Sequence, residues 1–162
     1  MTPSEKQSAT KRSTLAVMIG TGAAASLFGL VATWEGKSND PYKDIVGVWT
    51  VCYGETQGAM RRYSDAECRV KLEERLADYA GPVLARNPEL RGHDNQVVAA
   101  SSLAYNIGTA AYRGSTVAKR FSAGNWRGAC DAFLMWSKAG GKTVKGLLNR
   151  RNAERTVCLK GL

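Results

Sequence analysis

The sequence predicts an α+β chain, mostly helical, with one short hairpin early on and an apolar helix before it. Three observations lead there. From Lys43 onward the pattern turns to β-branched and aromatic residues around Gly47, so that Val48, Trp49, Thr50, Val51 and Tyr53 read as the second arm of a hairpin. Residues 64–159 place apolar side chains at helical spacing between capping and breaking residues. Residues 13–34 contain no charged side chain. With 162 residues, 44% of them hydrophobic, the chain is one domain's worth with enough apolar content for a proper core.

Taken in order, residues 1–12 are polar and carry Lys6, Lys11 and Arg12 against a single acid, Glu5. The uncharged run that follows is long enough to cross a bilayer as a helix, which takes about twenty residues. The basic flank would then stay cytoplasmic and the remainder would be exported. Gly20, Gly22, Ala23, Ala24, Ala25, Ser26 and Gly29 dilute its Leu, Val, Ile and Phe residues, so insertion is expected to be marginal and reversible. Two other readings compete. Ala23-Ala24-Ala25 offers the small-residue site of a cleaved signal peptide, although the apolar stretch 15–19 is short for one. A buried helix of a soluble domain is the other.

Beyond the hairpin, Ser64-Asp65-Ala66-Glu67 is a capping box. Cys68, Val70, Leu72, Leu76 and Tyr79 continue it as a helix to about Ala80, and Pro82 is expected to begin the next segment. Asp94 can cap a second helix, largely apolar and small through Val97, Val98, Ala100, Leu103 and Ala104, ending near Gly108; it should be mostly buried. Ser115 starts a short helix to Phe121. Asn125 starts another through Cys130, Phe133, Leu134 and Trp136, stopped by Gly140-Gly141, and the last runs from about Thr143 to Leu159.

Charge and cysteine content narrow the function classes. A net charge of +9 implies attraction to a polyanion: nucleic acid, acidic phospholipid or an anionic wall polymer. Nucleic acid is not the expected partner, because Lys and Arg are spread without an RNA-binding motif or a zinc-finger spacing. There is no CxxC and His93 is the only histidine, so neither a metal site nor a cofactor is expected, and a Ser-His-Asp hydrolase would lack its base unless His93 served. All four cysteines follow the apolar run, as expected if only that part meets an oxidising compartment.

Glu35 stands beside Trp34, Asp44 follows nine residues on, and Thr50 six later. Glycoside hydrolysis needs a carboxylic acid that protonates the leaving oxygen and a second group that holds water or charge across the ring. A carboxyl placed after a long apolar run and an aromatic ring is expected in partly desolvated surroundings, which suits the proton donor. Asp44, beside Lys43 in a polar segment, suits the carboxylate.

The block Glu35, Tyr42-Lys43-Asp44, Gly47, Trp49-Thr50 and Gly54 resembles the active-site signature of the phage-type lysozymes, glycoside hydrolase family 24. Three further segments resemble the same family in order: Tyr105-Asn106-Ile107-Gly108, Ser115-Thr116, and Gly146-Leu147-Leu148-Asn149-Arg150-Arg151 with Glu154-Arg155. The resemblance covers the chain from Glu35 to its end. One departure is visible, Glu55 where many members have His. The resemblance implies a two-lobed lysozyme fold, with a hairpin lobe, a connecting helix and a helical lobe around a cleft. It implies Glu35, Asp44 and Thr50 as the catalytic set, Arg150 as the cation that pairs with the catalytic Glu, and Asn106 as a cleft residue; Tyr105 and Trp136 are candidates to line the sugar groove, with a core aromatic as the alternative for each. Sequence proximity and lobe membership favour Cys52 with Cys68 and Cys130 with Cys158, against two other pairings or four reduced thiols.

The implied activity is that of an endolysin, a monomeric muramidase cutting the β-1,4 bond between N-acetylmuramic acid and N-acetylglucosamine in bacterial peptidoglycan, for host cell lysis. The alternatives are a lytic transglycosylase on the same substrate and a non-catalytic, membrane-tethered wall-binding protein. Some lysozymes of this family carry a weakly hydrophobic signal-arrest-release segment, and residues 13–34 resemble one. The chain would then divide into a basic tail and releasable anchor, 1–34, and a catalytic domain, 35–162. It would sit first at the inner membrane facing the periplasm and then free in the periplasm.

Overall fold

In the computed structural model, which describes residues 13–162, the uncharged run forms two helices, α1 (Thr14–Ile19) and α2 (Thr21–Trp34). The break is Gly20, at φ 91°, a conformation that a side chain would strain. Ser13 caps α1 by accepting the Ala16 amide hydrogen. Leu15, Leu27 and Val31 are fully buried and share one apolar cluster with Leu72, Leu76, Ala80 and Val98. The run therefore takes the arrangement of the third reading, a core element. Its alanines allow this, because Ala23 and Ala24 let the helix approach its neighbours closely. Among the described residues no helix is long and apolar enough to cross a membrane.

The hairpin is β1 (Ser38–Lys43) and β2 (Trp49–Cys52), antiparallel, with Tyr42 opposite Thr50 and Lys43 opposite Trp49. Its second arm is shorter than expected. Cys52 takes φ 57°, the one positive φ outside glycine among the described residues, and turns the chain before Tyr53. Val51, Cys52, Tyr63 and Cys68 form the small lobe's core. The Cys52–Cys68 disulfide ties the hairpin to the start of α3 (Asp65–Arg86), the helix that links the lobes.

Ser64 and Glu67 make the expected capping box: the Ser64 hydroxyl accepts the Glu67 amide hydrogen, and the Glu67 carboxylate accepts that of Ser64. The Arg61 guanidinium and then the Ser64 amide hold the Glu67 carboxyl down at about 2. A depressed carboxyl contributes stability that is present above its unfolded pKa and lost as pH falls through the folded one. The stability difference between wild type and Glu67→Gln is therefore expected to be full near neutral pH and to vanish as pH approaches 2, measured by thermal unfolding across that range.

α3 does not stop at Pro82 as expected; Pro82 lies inside it. Proline in a helix interior costs about 3 kcal/mol, but continuation buries Val83 and Leu84, each worth about 1.5–3 kcal/mol. A 3-10 turn (Pro88–Leu90) then leads to α4 (Asp94–Ile107). Asp94 is its first residue instead of its cap; His93 holds the cap position without a side-chain bond, and the Asp94 charge still faces the positive helix end. As expected, α4 is largely buried, continuously from Gln96 to Ala104.

α5 (Thr109–Arg113) had no sequence signal, whereas α6 (Thr116–Ser122) is capped by Ser115 as anticipated. The helix expected from Asn125 to Trp136 is split into α7 (Trp126–Ala132) and a 3-10 turn (Phe133–Trp136). Gly140-Gly141 does not merely stop it. At φ 57° and 76° the two glycines make the tight turn of a second hairpin, β3 (Lys138–Ala139) with β4 (Lys142–Thr143), a geometry that needs positive φ at both central residues. α8 (Lys145–Leu159) closes the chain, joined to α7 by Cys130–Cys158. The helical lobe's core gathers Leu90, Leu103, Tyr112, Phe121 and Phe133.

Both disulfides pair as proximity favoured, with separations of 16 and 28 residues. Loops of that length are worth about 3 kcal/mol each through restriction of the unfolded chain. Cys130→Ala/Cys158→Ala is expected to lower unfolding free energy by about that amount in denaturant titration, and reductant should then act only through Cys52–Cys68.

Candidate active site

Glu35 caps the end of α2, donating its amide hydrogen to Val31 O while the chain turns to extended geometry. The helix thus delivers the side chain to the point where the small lobe begins. Its Oε1 accepts a hydrogen bond from Arg150 Nη1 at 3.2 Å, with the carboxylate side chain 26% exposed and the arginine 6%. The surroundings expected from the apolar run are only half met: α2 buries its own face, but the carboxyl itself meets a cation from α8.

Asp44 and Thr50 meet at the other arm. The hairpin register places them on either side of its turn, and the Val48 carbonyl accepts both the Asp44 amide hydrogen at 2.9 Å and the Thr50 hydroxyl at 3.0 Å. Asp44 Oδ1 accepts the amide hydrogens of Val46 and Val48, at 3.0 and 2.8 Å, which fixes the carboxylate against the loop. Thr50 is buried and Asp44 half-buried.

Behind Glu35 lies an ionic cluster that sequence reasoning saw only in part. Glu154 Oε1 takes hydrogen bonds from the Ser102 hydroxyl at 2.7 Å, Arg151 Nη2 at 3.0 Å and Arg150 Nε at 3.4 Å. Its Oε2 lies 2.8 Å from Arg151 Nε. Arg151 Nη1 also donates to Asn106 Oδ1 at 3.0 Å. Burial pushes the Glu154 carboxyl up and the Arg151 guanidinium down, each opposed by the attraction of the other. The spacing of Glu154 three and four residues after the two arginines is the signal that finds it. Ser102 has no such signal.

Tyr105 is half-buried beside this cluster, packed edge-on to Tyr79, with the Arg75 guanidinium 5.3 Å from its ring centre. Burial pushes its hydroxyl up to about 12, with the Arg75 charge opposing and the Glu35 charge adding. Asn106 is exposed on the same turn of α4. Trp136 is half-buried against the helical core, in its 3-10 turn. Glu55, at the position of the family's His, is buried, holds the Gln57 amide hydrogen at 2.8 Å and faces Arg75 at 3.8 Å.

The family model for phage lysozyme matches residues 32–154, which takes in Glu35, the first hairpin and α8 through Glu154. The SAR-endolysin of Enterobacteria phage P21 is 40% identical over 161 residues, covering 93% of this chain and 96% of that protein. Among solved structures, a P22 lysozyme mutant matches with a TM-score of 0.72 at 28% identity, over 87% of this chain and 97% of that one. The active form of P1 phage endolysin Lyz matches with a TM-score of 0.69 at 26% identity, over 91% and 92%. The chain belongs to the phage lysozyme family.

Proposed function

We propose that this protein is an endolysin, a muramidase that hydrolyses the β-1,4 bond between N-acetylmuramic acid and N-acetylglucosamine in bacterial peptidoglycan. Glu35 acts as the general acid on the leaving oxygen. Asp44 and Thr50 position the attacking water and stabilise charge developing on the ring. Arg150 holds Glu35 in place, Asn106 and Tyr105 contact the glycan, and Trp136 offers a ring at the groove's edge. The observation that carries this reading is the shared Val48 carbonyl, which brings Asp44 and Thr50 together on one arm, while α2 and Arg150 deliver Glu35 to the junction with that arm.

Residues 1–34 serve as a basic tail and a releasable signal anchor, which tethers the enzyme to the inner membrane facing the periplasm and later lets go. The weakly apolar composition of residues 13–34 supports this, since the same side chains pack α1 and α2 into the domain. Extraction then completes the site, because Glu35 is the cap of α2. Active protein recovered from the periplasm is expected to retain residues 1–34; an N-terminus near Ser26 would mean a cleaved signal instead.

Digestion of purified, lipid-free wall tests the chemistry. Mass spectrometry should find fragments with new reducing ends. Anhydro-sugar ends would identify a transglycosylase, and binding without release of fragments a non-catalytic wall-binding protein.

A further inference from the structure

Of the ten large apolar side chains exposed among the described residues, five lie within the first hairpin: Tyr42, Ile45, Val46, Val48 and Trp49. Ile45 is 101% exposed and Val46 77%, so nothing in the fold screens either one. Such side chains at one loop tip are not a fold requirement, because the small lobe's core is built from Val51, Cys52, Tyr63 and Cys68 instead. Exposed apolar side chains gathered on one hairpin mark a contact with something outside the chain.

The chemistry of the tip narrows what that is. Four of its backbone donors are satisfied within the loop: the Asp44 amide by Val48 O, the Gly47 amide by Asp44 O, and the Val46 and Val48 amides by the Asp44 carboxylate. A tip so arranged can leave water without stranding those groups. Lys43 holds its ammonium 5.4 Å from the centre of the Trp49 ring, pairing a long cation with an aromatic residue, as found at the polar boundary of a bilayer. The acid on the first arm, Asp40, is paired with Arg62, and the chain as a whole carries +9. A projecting apolar tip with a cationic flank fits a soft anionic surface better than a groove.

We propose that this hairpin tip docks the folded enzyme onto an anionic phospholipid surface, with Ile45 and Val46 entering the apolar boundary and Trp49 and Lys43 at headgroup level. This contact is separate from the 13–34 segment, which is packed inside the domain. It keeps the enzyme at the membrane after that segment has left the bilayer.

The test is co-sedimentation of the full chain with vesicles of phosphatidylcholine and phosphatidylglycerol, comparing wild type with Ile45→Ser. Withdrawal of an Ile side chain from water is worth about tenfold or more in partition, so the variant should lose about tenfold in vesicle binding. Binding should weaken on pure phosphatidylcholine and at high salt. Hydrolysis of lipid-free wall by the variant should stay close to wild type. Equal vesicle binding by both proteins would overturn the proposal and point to residues 13–34 as the lipid contact. So would the absence of binding by wild type, or a loss of wall hydrolysis with vesicle binding unchanged, which would make the tip a substrate platform. Concentration-dependent self-association that the variant abolishes, with no vesicle binding, would assign the patch to a second copy of the chain.

Discussion

Glu35→Gln is expected to slow the clearing of purified wall by about a hundredfold to ten-thousandfold, the usual contribution of a positioned general acid. The substitution keeps the shape of the side chain and an oxygen that can still accept from Arg150 Nη1, so the helix end and the ionic cluster behind it should survive. The melting profile of the variant should therefore stay near wild type, because Arg150 keeps the Glu154 carboxylate as its counter-charge. What disappears is the proton. Thr50→Ser, by contrast, preserves the hydroxyl that bonds the Val48 carbonyl and should retain part of the activity. A Glu35→Gln protein that still clears walls at a rate near wild type would remove Glu35 from the chemistry, and with it the reading of the site.

The largest loss of stability is expected from Glu154→Ala. Glu154 and Arg151 are fully buried and Arg150 nearly so, and one carboxylate serves both guanidinium groups and the Ser102 hydroxyl. Removing it leaves the buried Arg151 without a counter-charge and Arg150 with only the partly exposed Glu35, a change that costs about 3–5 kcal/mol. That is several times the effect expected from Arg155→Ala, which breaks an exposed pair with Asp131 worth about 0–1 kcal/mol. Denaturant titration of both variants should separate them clearly. Similar midpoints would mean that the buried cluster relaxes or takes up water at little cost, and that Arg150 is held near Glu35 by packing alone.

Much of the candidate site's geometry was legible because its parts are local in sequence. The YxD segment, Gly47 and the β-branched run specify a hairpin, and the hairpin alone brings Asp44 within reach of Thr50. The Ser64–Glu67 capping box was equally readable, since each partner lies within one helical turn of the other. The cysteines paired as their proximity suggested. The failures share a different cause. Pro82 reads as a stop on local propensity and is overridden by burial of Val83 and Leu84. Gly140-Gly141 reads as a stop and is the turn of a hairpin, because two-residue strands have too little pattern to notice. Ser102 reaches Glu154 across 52 residues, a contact that no spacing rule contains.

The sequence by itself determined the hairpin with its carboxylate and hydroxyl, the carboxyl at the end of an apolar helix, and the basic character of the chain, since each rests on neighbours a few residues apart. Only the tertiary structure showed where residues 13–34 sit in the folded domain, because apolarity records a preference for leaving water and says nothing of whether lipid or protein replaces it. The family resemblance implied that Arg150 of α8 pairs with Glu35, and the two meet at 3.2 Å; only the tertiary structure joined Ser102 to Glu154, since such a partner is found through the path of the whole chain.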